Sequence, residues 1–276
     1  MKTAKYLTIL PLAVIGALYG ASPALAGPIL GSDLASFAVL GAAGVTNVPT
    51  STIGGNLGSA PNGSVGGGYI FTSGSLQQNT ALAQQAQLQL DAAILAVNGM
   101  GPGLLIGSDL TGTIFPGVYT VPGAGTNLSG NLILDGGGSN SAVWAFLFPS
   151  TLITSTTSNV FVTNVGDGAN VGLYWSVTSA ATLNGFTFAG NVLAQDLISS
   201  DGNLTITCGR LLSSEKQVTL IQDKISIGCA GTGFGSGGFD QGVPIGSGGQ
   251  VVPEPATLAL LGLGLLGLGF SRRRHG

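Results

Sequence analysis

The chain has 276 residues, 48 of them glycine, and only 7% of its residues are charged, against about a quarter in an ordinary globular domain. With 44% apolar residues it is too hydrophobic for an intrinsically disordered chain. Between Gly27 and Gln250, ten acidic residues oppose three basic ones, a net charge of −7, which excludes a basic surface that follows nucleic-acid phosphates.

The first 26 residues have the pattern of a secretory signal peptide. Lys2 and Lys5 precede an apolar run, and Ala24-Leu25-Ala26 forms a small-residue cleavage site. We therefore predict a signal peptide over 1–26, cleaved by signal peptidase after Ala26; an uncleaved N-terminal anchor is the alternative. Export makes a disulfide permissible.

A Gly-Asn-apolar motif recurs through the exported region and predicts a repeating β fold. It occurs at 55–57, 130–132 and 190–192, with the variant Gly-Arg-Leu at 209–211. The last two copies are 19 residues apart, and a coil of that length has a perimeter of about 60 Å at about 3.3 Å per extended residue. This size suits one turn of an irregular β-helix, so we predict a mainly β solenoid over 27–229.

One segment, about 75–97, predicts a long α-helix packed along the solenoid. It contains neither Gly nor Pro, and Asn98-Gly99 is a typical helix end. The apolar residues expected to face the solenoid are Leu82, Ala86, Leu88, Leu90, Ala93, Ile94 and Val97.

Alternation of apolar and polar residues predicts which side chains point inward. Three successive passes have this pattern, and their predicted inner residues are Phe186, Phe188, Leu204, Ile206, Cys208, Ile225, Ile227 and Cys229. Cys208 and Cys229 would then lie on adjacent coils, about 4.8 Å apart, which allows a disulfide. Two buried free thiols are the alternative; no metal site is expected, because no histidine is nearby.

The C-terminal region predicts a Gly/Ser-rich flexible linker over 230–251, then a sorting signal. Val252-Pro253-Glu254-Pro255 precedes an apolar run, Ala256–Phe270, and three arginines. This order resembles the PEP-CTERM sorting signal of Gram-negative bacteria, over 252–276. The resemblance implies processing by an exosortase after transient anchoring in the inner membrane by a short hydrophobic helix.

Several passages in order resemble the ice-binding-protein-like family of antifreeze β-solenoids. They are Leu30–Leu40, Pro116–Tyr119, Leu132–Gly136, Ala142–Phe146, Leu173–Val177 and Gly209–Leu212. The resemblance implies a right-handed, irregular β-helix of triangular section with one helix alongside, and a flat face of small neutral residues that binds ice. The protein would be extracellular or in the cell envelope.

Threonine suits such a face because its χ1 is stiff and it offers both a methyl and a hydroxyl group. The candidate ice-binding residues are Thr154, Thr156, Thr157, Thr163, Thr178, Thr182, Thr187, Thr205 and Thr207. Threonine is also an ordinary exposed strand residue.

The alternative function is an envelope or matrix protein that adheres to exopolysaccharide or the cell surface. Its candidate sugar-stacking aromatics are Tyr69, Phe71, Tyr119, Trp144 and Trp175. We predict no enzymatic activity, because the single histidine, His275, lies behind the hydrophobic tail and should be lost on processing, so that no Ser-His-Asp or Cys-His arrangement is possible. We also predict no cofactor.

Overall fold

The computed structural model describes residues 28–123, 125–229 and 235–240, all within one compact unit, Gly27–Gly248. Because this unit contains all the described strands and their core, it can fold by itself. The predicted signal peptide and the sorting signal lie outside the described residues.

The described residues form one α-helix, α1 (Ala81–Asn98), a short 3-10 helix (Leu34–Ser36) and nineteen strands. The strands are β1 (Phe37–Gly41), β2 (Gly44–Gly54), β3 (Asn56–Ser59), β4 (Val65–Ser73), β5 (Leu76–Gln78), β6 (Leu104–Leu105), β7 (Gly112–Ile114), β8 (Gly117–Thr120), β9 (Asn131–Asp135), β10 (Val143–Phe148), β11 (Leu152–Ile153), β12 (Asn159–Thr163), β13 (Gly172–Val177), β14 (Ala181–Leu183), β15 (Thr187–Ala194), β16 (Ile198–Ser200), β17 (Thr205–Ser213), β18 (Gln217–Leu220) and β19 (Lys224–Ser226).

The strands stack into three parallel ladders, which we name by what their outer surfaces carry. The helix face contains β6, β8, β10, β13, the ends of β15 and β17, then β1, β3 and β5. The neutral face contains β11, β14, β16, β18 and the starts of β2 and β4. The mixed face contains β7, β9, β12, the starts of β15 and β17, then β19 and the ends of β2 and β4.

The predicted mainly β fold with one helix is confirmed; the handedness and the triangular section stay predictions. The 19-residue repeat gives the register, because Gly190 pairs with Gly209 and Asn191 with Arg210. Stacking does not follow chain order, however. The first coil, β1 and β2, lies between the last coil, β17–β19, and the coil of β3 and β4.

Helix α1 connects the two ends of the stack. Its N-cap is Thr80, whose Oγ1 accepts from the Ala83 amide at 3.3 Å, and near its end Asn98 accepts from Ser176 at 2.8 Å. Its buried stripe is Ala83, Ala86, Leu90, Ala93, Ile94 and Val97. No helix within the described ranges is both long and apolar enough to cross a bilayer.

Two details of the predicted helix were wrong. Residues 75–80 are not helical: Leu76–Gln78 form β5, which completes the helix face by pairing with β3. Leu88, predicted to face the solenoid, is 63% exposed, because it lies off the stripe that contacts the strands.

The core inside the ladders is apolar and includes a column of stacked aromatic rings. Ring centroids are 5.6 Å apart between Tyr119 and Phe146, 4.5 Å between Phe146 and Trp175, and 4.9 Å between Trp175 and Phe188. Each ring comes from a neighbouring coil, so the column joins four coils, and such pairs add to the stabilisation from burial.

The predicted alternation holds where the strands are regular. Leu204, Ile206 and Ile225 are buried, and Cys208 and Cys229 form the predicted disulfide, with Cα atoms 4.5 Å apart. Phe186 was assigned to the interior wrongly: it is 59% exposed, because it lies in the turn before β15, where the alternation has not begun.

Part of the predicted flexible linker is packed against the solenoid. We call Gly235–Asp240 the C-terminal strap; its Phe239 is 1% exposed and its Asp240 3% exposed. The Leu173 amide donates to the Phe239 carbonyl at 3.0 Å, and the Leu30 amide donates to the Asp240 carboxylate at 3.2 Å. The prediction of a linker beginning at residue 230 is therefore wrong for these six residues.

Arg210 fixes the strap from inside the fold. Its guanidinium is buried and donates to the carbonyls of Gly237 at 2.8 Å, Gly238 at 3.0 Å and Ala35 at 2.7 Å, and to Asn191 Oδ1 at 2.7 Å. One side chain thus joins the N-terminal segment, a central coil and the strap.

Candidate functional site

The neutral face carries one continuous row of uncharged residues that spans six stacked strands. Register partners follow one another along the row, which is Ile153, Thr182, Ser199, Thr219, Thr46 and Gly66. The four hydroxyl residues sit on consecutive strands, and the Oγ1 atoms of Thr46 and Thr219 are 3.2 Å apart. No charged residue occurs in the strand segments of this face.

The hydroxyls point outward because each lies between two buried neighbours. Thr182 is flanked by Ala181 and Leu183, and Thr219 by Val218 and Leu220, all four of them buried. Since side chains alternate along a strand, burial of the flanking pair forces the middle residue to the outer surface. The apolar core therefore sets the orientation of the row.

A buried polar cluster holds the corner between the neutral and mixed faces. Asp223 accepts from the Ser200 hydroxyl and from the Leu204 amide at 3.0 Å, and its own amide donates to Ser51 Oγ at 2.8 Å. Ser51 donates to Asn47 at 2.8 Å. Burial raises the pKa of the Asp223 carboxyl, while the hydrogen bonds it accepts act in the opposite direction. The cluster ties three coils together beside the row.

The mixed face is chemically less uniform. Its outer row is Asn131, Asn159, Thr187, Thr205, Lys224, Thr52 and Ile70. The exposed Lys224 interrupts the threonines, and Phe161 is 43% exposed. A groove of about 280 Å³ also opens here, lined by Phe161, Thr187, Thr207 and Phe239 among others. This face is neither uncharged nor uniform.

The structure divides the predicted threonines among several places. Thr163, Thr187, Thr205 and Thr207 lie on the mixed face, and Thr182 lies on the neutral face. Thr156 and Thr157 lie in the turn between β11 and β12, and Thr178 follows β13. The predicted residues therefore do not form one row.

Thr154 was assigned to the outer surface wrongly. It is 1% exposed, and its hydroxyl accepts from the Asn184 amide at 2.8 Å. The hydroxyl therefore satisfies a backbone donor at a coil corner and cannot meet an external surface.

Three residues of the neutral row, Thr46, Ser199 and Thr219, were missed by sequence reasoning. Each lies mid-strand between buried neighbours, so the alternation marks it as outward-facing. That they share one row follows only from the pairing of β2 with β18, which joins residues more than 170 positions apart in the sequence.

The aromatic residues considered for sugar stacking are largely occupied by the core. Trp144 and Trp175 are fully buried, and Tyr69, Phe71 and Tyr119 are half-buried and pack against the core. Burial raises the pKa of the Tyr69 hydroxyl to about 12. None of the five presents a free ring face to a glycan in the way that an exposed tryptophan would.

Three parallel ladders with one helix along the outside define a β-helix-like protein that offers broad strand-built faces. The chain belongs to the ice-binding-like family, whose model matches residues 39–226. It is 33% identical over 277 residues to an ice-binding protein of Nostoc sp. (strain HG1), covering 98% of this chain and 96% of that protein.

Solved structures agree with this assignment. The crystal structure of an ice-binding protein from the Antarctic ascomycete Antarctomyces psychrotrophicus has a TM-score of 0.64 at 31% identity, covering 72% of this chain and 98% of the other. An ice-binding protein from an Antarctic biological consortium has a TM-score of 0.64 at 28% identity, covering 72% and 90%. Residues 251–274 match the PEP-CTERM protein-sorting motif, which confirms the predicted sorting signal.

Proposed function

We propose that the protein adsorbs to ice through the neutral face, with the row of Thr182, Ser199, Thr219 and Thr46 in contact with the crystal. The observation that carries this proposal is the unbroken register of four hydroxyl residues on consecutive strands. The family and the relatives named above support ice as the ligand.

The physical basis is a regular spacing on a rigid surface. Neighbouring strands lie about 4.8 Å apart, so the row repeats hydroxyl and methyl groups at a spacing close to a repeat of the ice lattice. The side chains are short, and those of threonine are stiff at χ1, so little conformational entropy is lost when the face binds. A flat, uncharged face can order water into the pattern that the crystal continues.

The mixed face is the second candidate surface, since it carries Thr187, Thr205 and Thr207. Thr205 is next to Lys224 in its row, and a charged, strongly hydrated ammonium group disfavours an ice-like water layer. We therefore rank this face below the neutral face.

We further propose that the protein works outside the inner membrane and without catalysis. The sorting motif at 251–274 supports export to the cell envelope or beyond, with an exosortase as the processing partner. The candidate surface consists of hydroxyl and aliphatic groups and has no general acid or base among its row residues, which supports a binding role.

The test compares one tyrosine substitution on each face. Thermal hysteresis and inhibition of ice recrystallisation would be measured for residues 27–248, for Thr219→Tyr and for Thr205→Tyr. Both sites face outward, so both variants should melt at the wild-type temperature. We expect Thr219→Tyr to lose most of the activity and Thr205→Tyr to keep it. The reverse result would move the site to the mixed face, and an inactive wild type would overturn the ice-binding proposal.

A further inference from the structure

The ladders end in an edge that no described residue covers. Among the residues that the structure describes, β4 pairs only with β2, and β5 only with β3. This edge carries exposed apolar side chains, since Ile70 is 58% and Leu76 42% exposed. A free strand edge offers unpaired backbone donors and acceptors to another strand.

Charged residues, which usually protect such an edge, are missing from this part of the chain. No Asp, Glu, Lys or Arg occurs between Asp33 and Asp91, a stretch that contains β1 to β5 and the first half of α1. Natural edge strands commonly carry lysine or another inward-pointing charge against unwanted pairing. The β4 edge has neither, although a bulge at Thr72 limits its regular run to Gly68–Phe71.

The charge distribution indicates which partner fits. The exported region has a net charge of −7, so a second copy is repelled by most of the surface. The β4 end carries no acidic side chain, so two copies can approach each other there without that repulsion. The opposite end of the stack carries Asp109 beside the short strand β7 and offers edge strands of only two and three residues.

We propose that two copies of this chain associate through β4, paired antiparallel across a two-fold axis. In an antiparallel pair, residues directly opposite each other point to the same side of the sheet. The two-fold axis therefore passes between two copies of the same residue and not between two neighbouring residues. If that residue is Ile70, Ile70 of one copy lies opposite Ile70 of the other. Tyr69 of one copy then lies opposite Phe71 of the other, an aromatic pair of the kind that stabilises strand pairing.

The two-fold arrangement closes after two copies. A head-to-tail contact between opposite ends would extend the ladders without limit and form filaments. The two arrangements therefore predict different assemblies, and the proposal does not depend on the ligand of the neutral face.

Sedimentation velocity on residues 27–248 over a range of concentrations tests the proposal. The wild type should show a monomer–dimer equilibrium without larger species. Ile70→Lys puts two ammonium groups opposite each other and should raise the dimer dissociation constant by more than about tenfold. The matched control is Ile133→Lys, the same change at an outward position of the mixed face in β9, a strand paired on both sides.

Melting curves establish that each variant is folded. Thr72→Lys changes another exposed position of β4 and should also weaken the dimer. Thr219→Tyr should leave dimerisation unchanged, so loss of ice activity and loss of the dimer are separable. A wild type that stays monomeric, a filament, or a dimer equally weakened by Ile133→Lys would each overturn the proposal.

Discussion

Thr46 and Thr219 lie on adjacent strands with their Oγ1 atoms 3.2 Å apart, although one belongs to the first coil and the other to the last. The proposed ice-binding row gains its fourth hydroxyl residue only where these two coils pair, because Thr182, Ser199 and Thr219 lie on one side of the junction and Thr46 lies on the other. Correct pairing of the first coil with the last coil is therefore a condition for the proposed ice binding.

Replacing Gly190 by alanine should destabilise the protein by about 3 kcal/mol or more. Gly190 has φ +89°, and a Cβ there would lie 2.3 Å from Leu173 Cγ, so the substitution combines left-handed strain with overpacking. Denaturant unfolding gives the free energy directly. The control is Gly107→Ala, whose Cβ meets no atom within 4 Å; similar losses in both variants would contradict the packing argument.

Removing the Cys208–Cys229 disulfide should lower the free energy of unfolding by about 3 kcal/mol. The bond closes a loop of 21 residues, and cross-links of that length restrict the unfolded chain by about this amount. The measurement is denaturant unfolding of the Cys208→Ala, Cys229→Ala double variant beside the wild type. Reductant should shift the wild type towards the variant and leave the variant unaffected; a wild type insensitive to reductant after verified reduction would contradict the prediction.

Local patterns in the sequence predicted the features that depend on neighbouring residues. The spacing of Gly190 and Gly209 predicted the register of β15 and β17, and alternation predicted burial of Leu204 and Ile206. Both follow from properties of a single strand and its next copy. The error at Phe186 has the same origin, because alternation does not mark where a strand begins.

Long-range pairing was beyond these patterns. Nothing local to Thr46 indicates that β2 stacks on β18, since the order of coils in space differs from their order in the chain. The strap was missed for a related reason: its glycines and serine resemble a linker, and what packs them is Arg210, about 27 positions earlier. The neutral row and the strap thus both depend on contacts distant in sequence.

Replacing Arg210 by alanine should cost about 3–5 kcal/mol, because it removes the buried donors to the Ala35, Gly237 and Gly238 carbonyls and leaves these acceptors unsatisfied. It also removes the positive charge that acts on the buried Asp240 carboxyl. Thermal or denaturant unfolding would show the loss, and limited proteolysis would show the strap cleaved first. Lys216→Ala, which removes an exposed charge, should change stability by less than about 0.5 kcal/mol; equal effects would show that charge number, not burial, is responsible.

Asp240 should make stability depend on pH between about 4 and 6. Burial raises the pKa of its carboxyl from 3.8 to about 6, although the Arg210 charge and the hydrogen bonds from Leu30 and Tyr174 lower it. The folded state thus binds the proton more tightly than the unfolded state. The stabilisation is complete below the unfolded pKa and is lost as pH rises through about 6, on the order of 2–3 kcal/mol in total.

Two variants isolate this carboxyl in denaturant titrations at several pH values. Asp240→Asn keeps an oxygen that accepts from the Leu30 amide and should remove the pH dependence in this window. Tyr174→Phe removes a hydroxyl that donates to the carboxylate at 3.1 Å, so the transition should move to higher pH. Parallel pH profiles for the wild type and Asp240→Asn would show that the dependence comes from other groups, because only a titrating Asp240 makes the two profiles diverge as the carboxyl ionises.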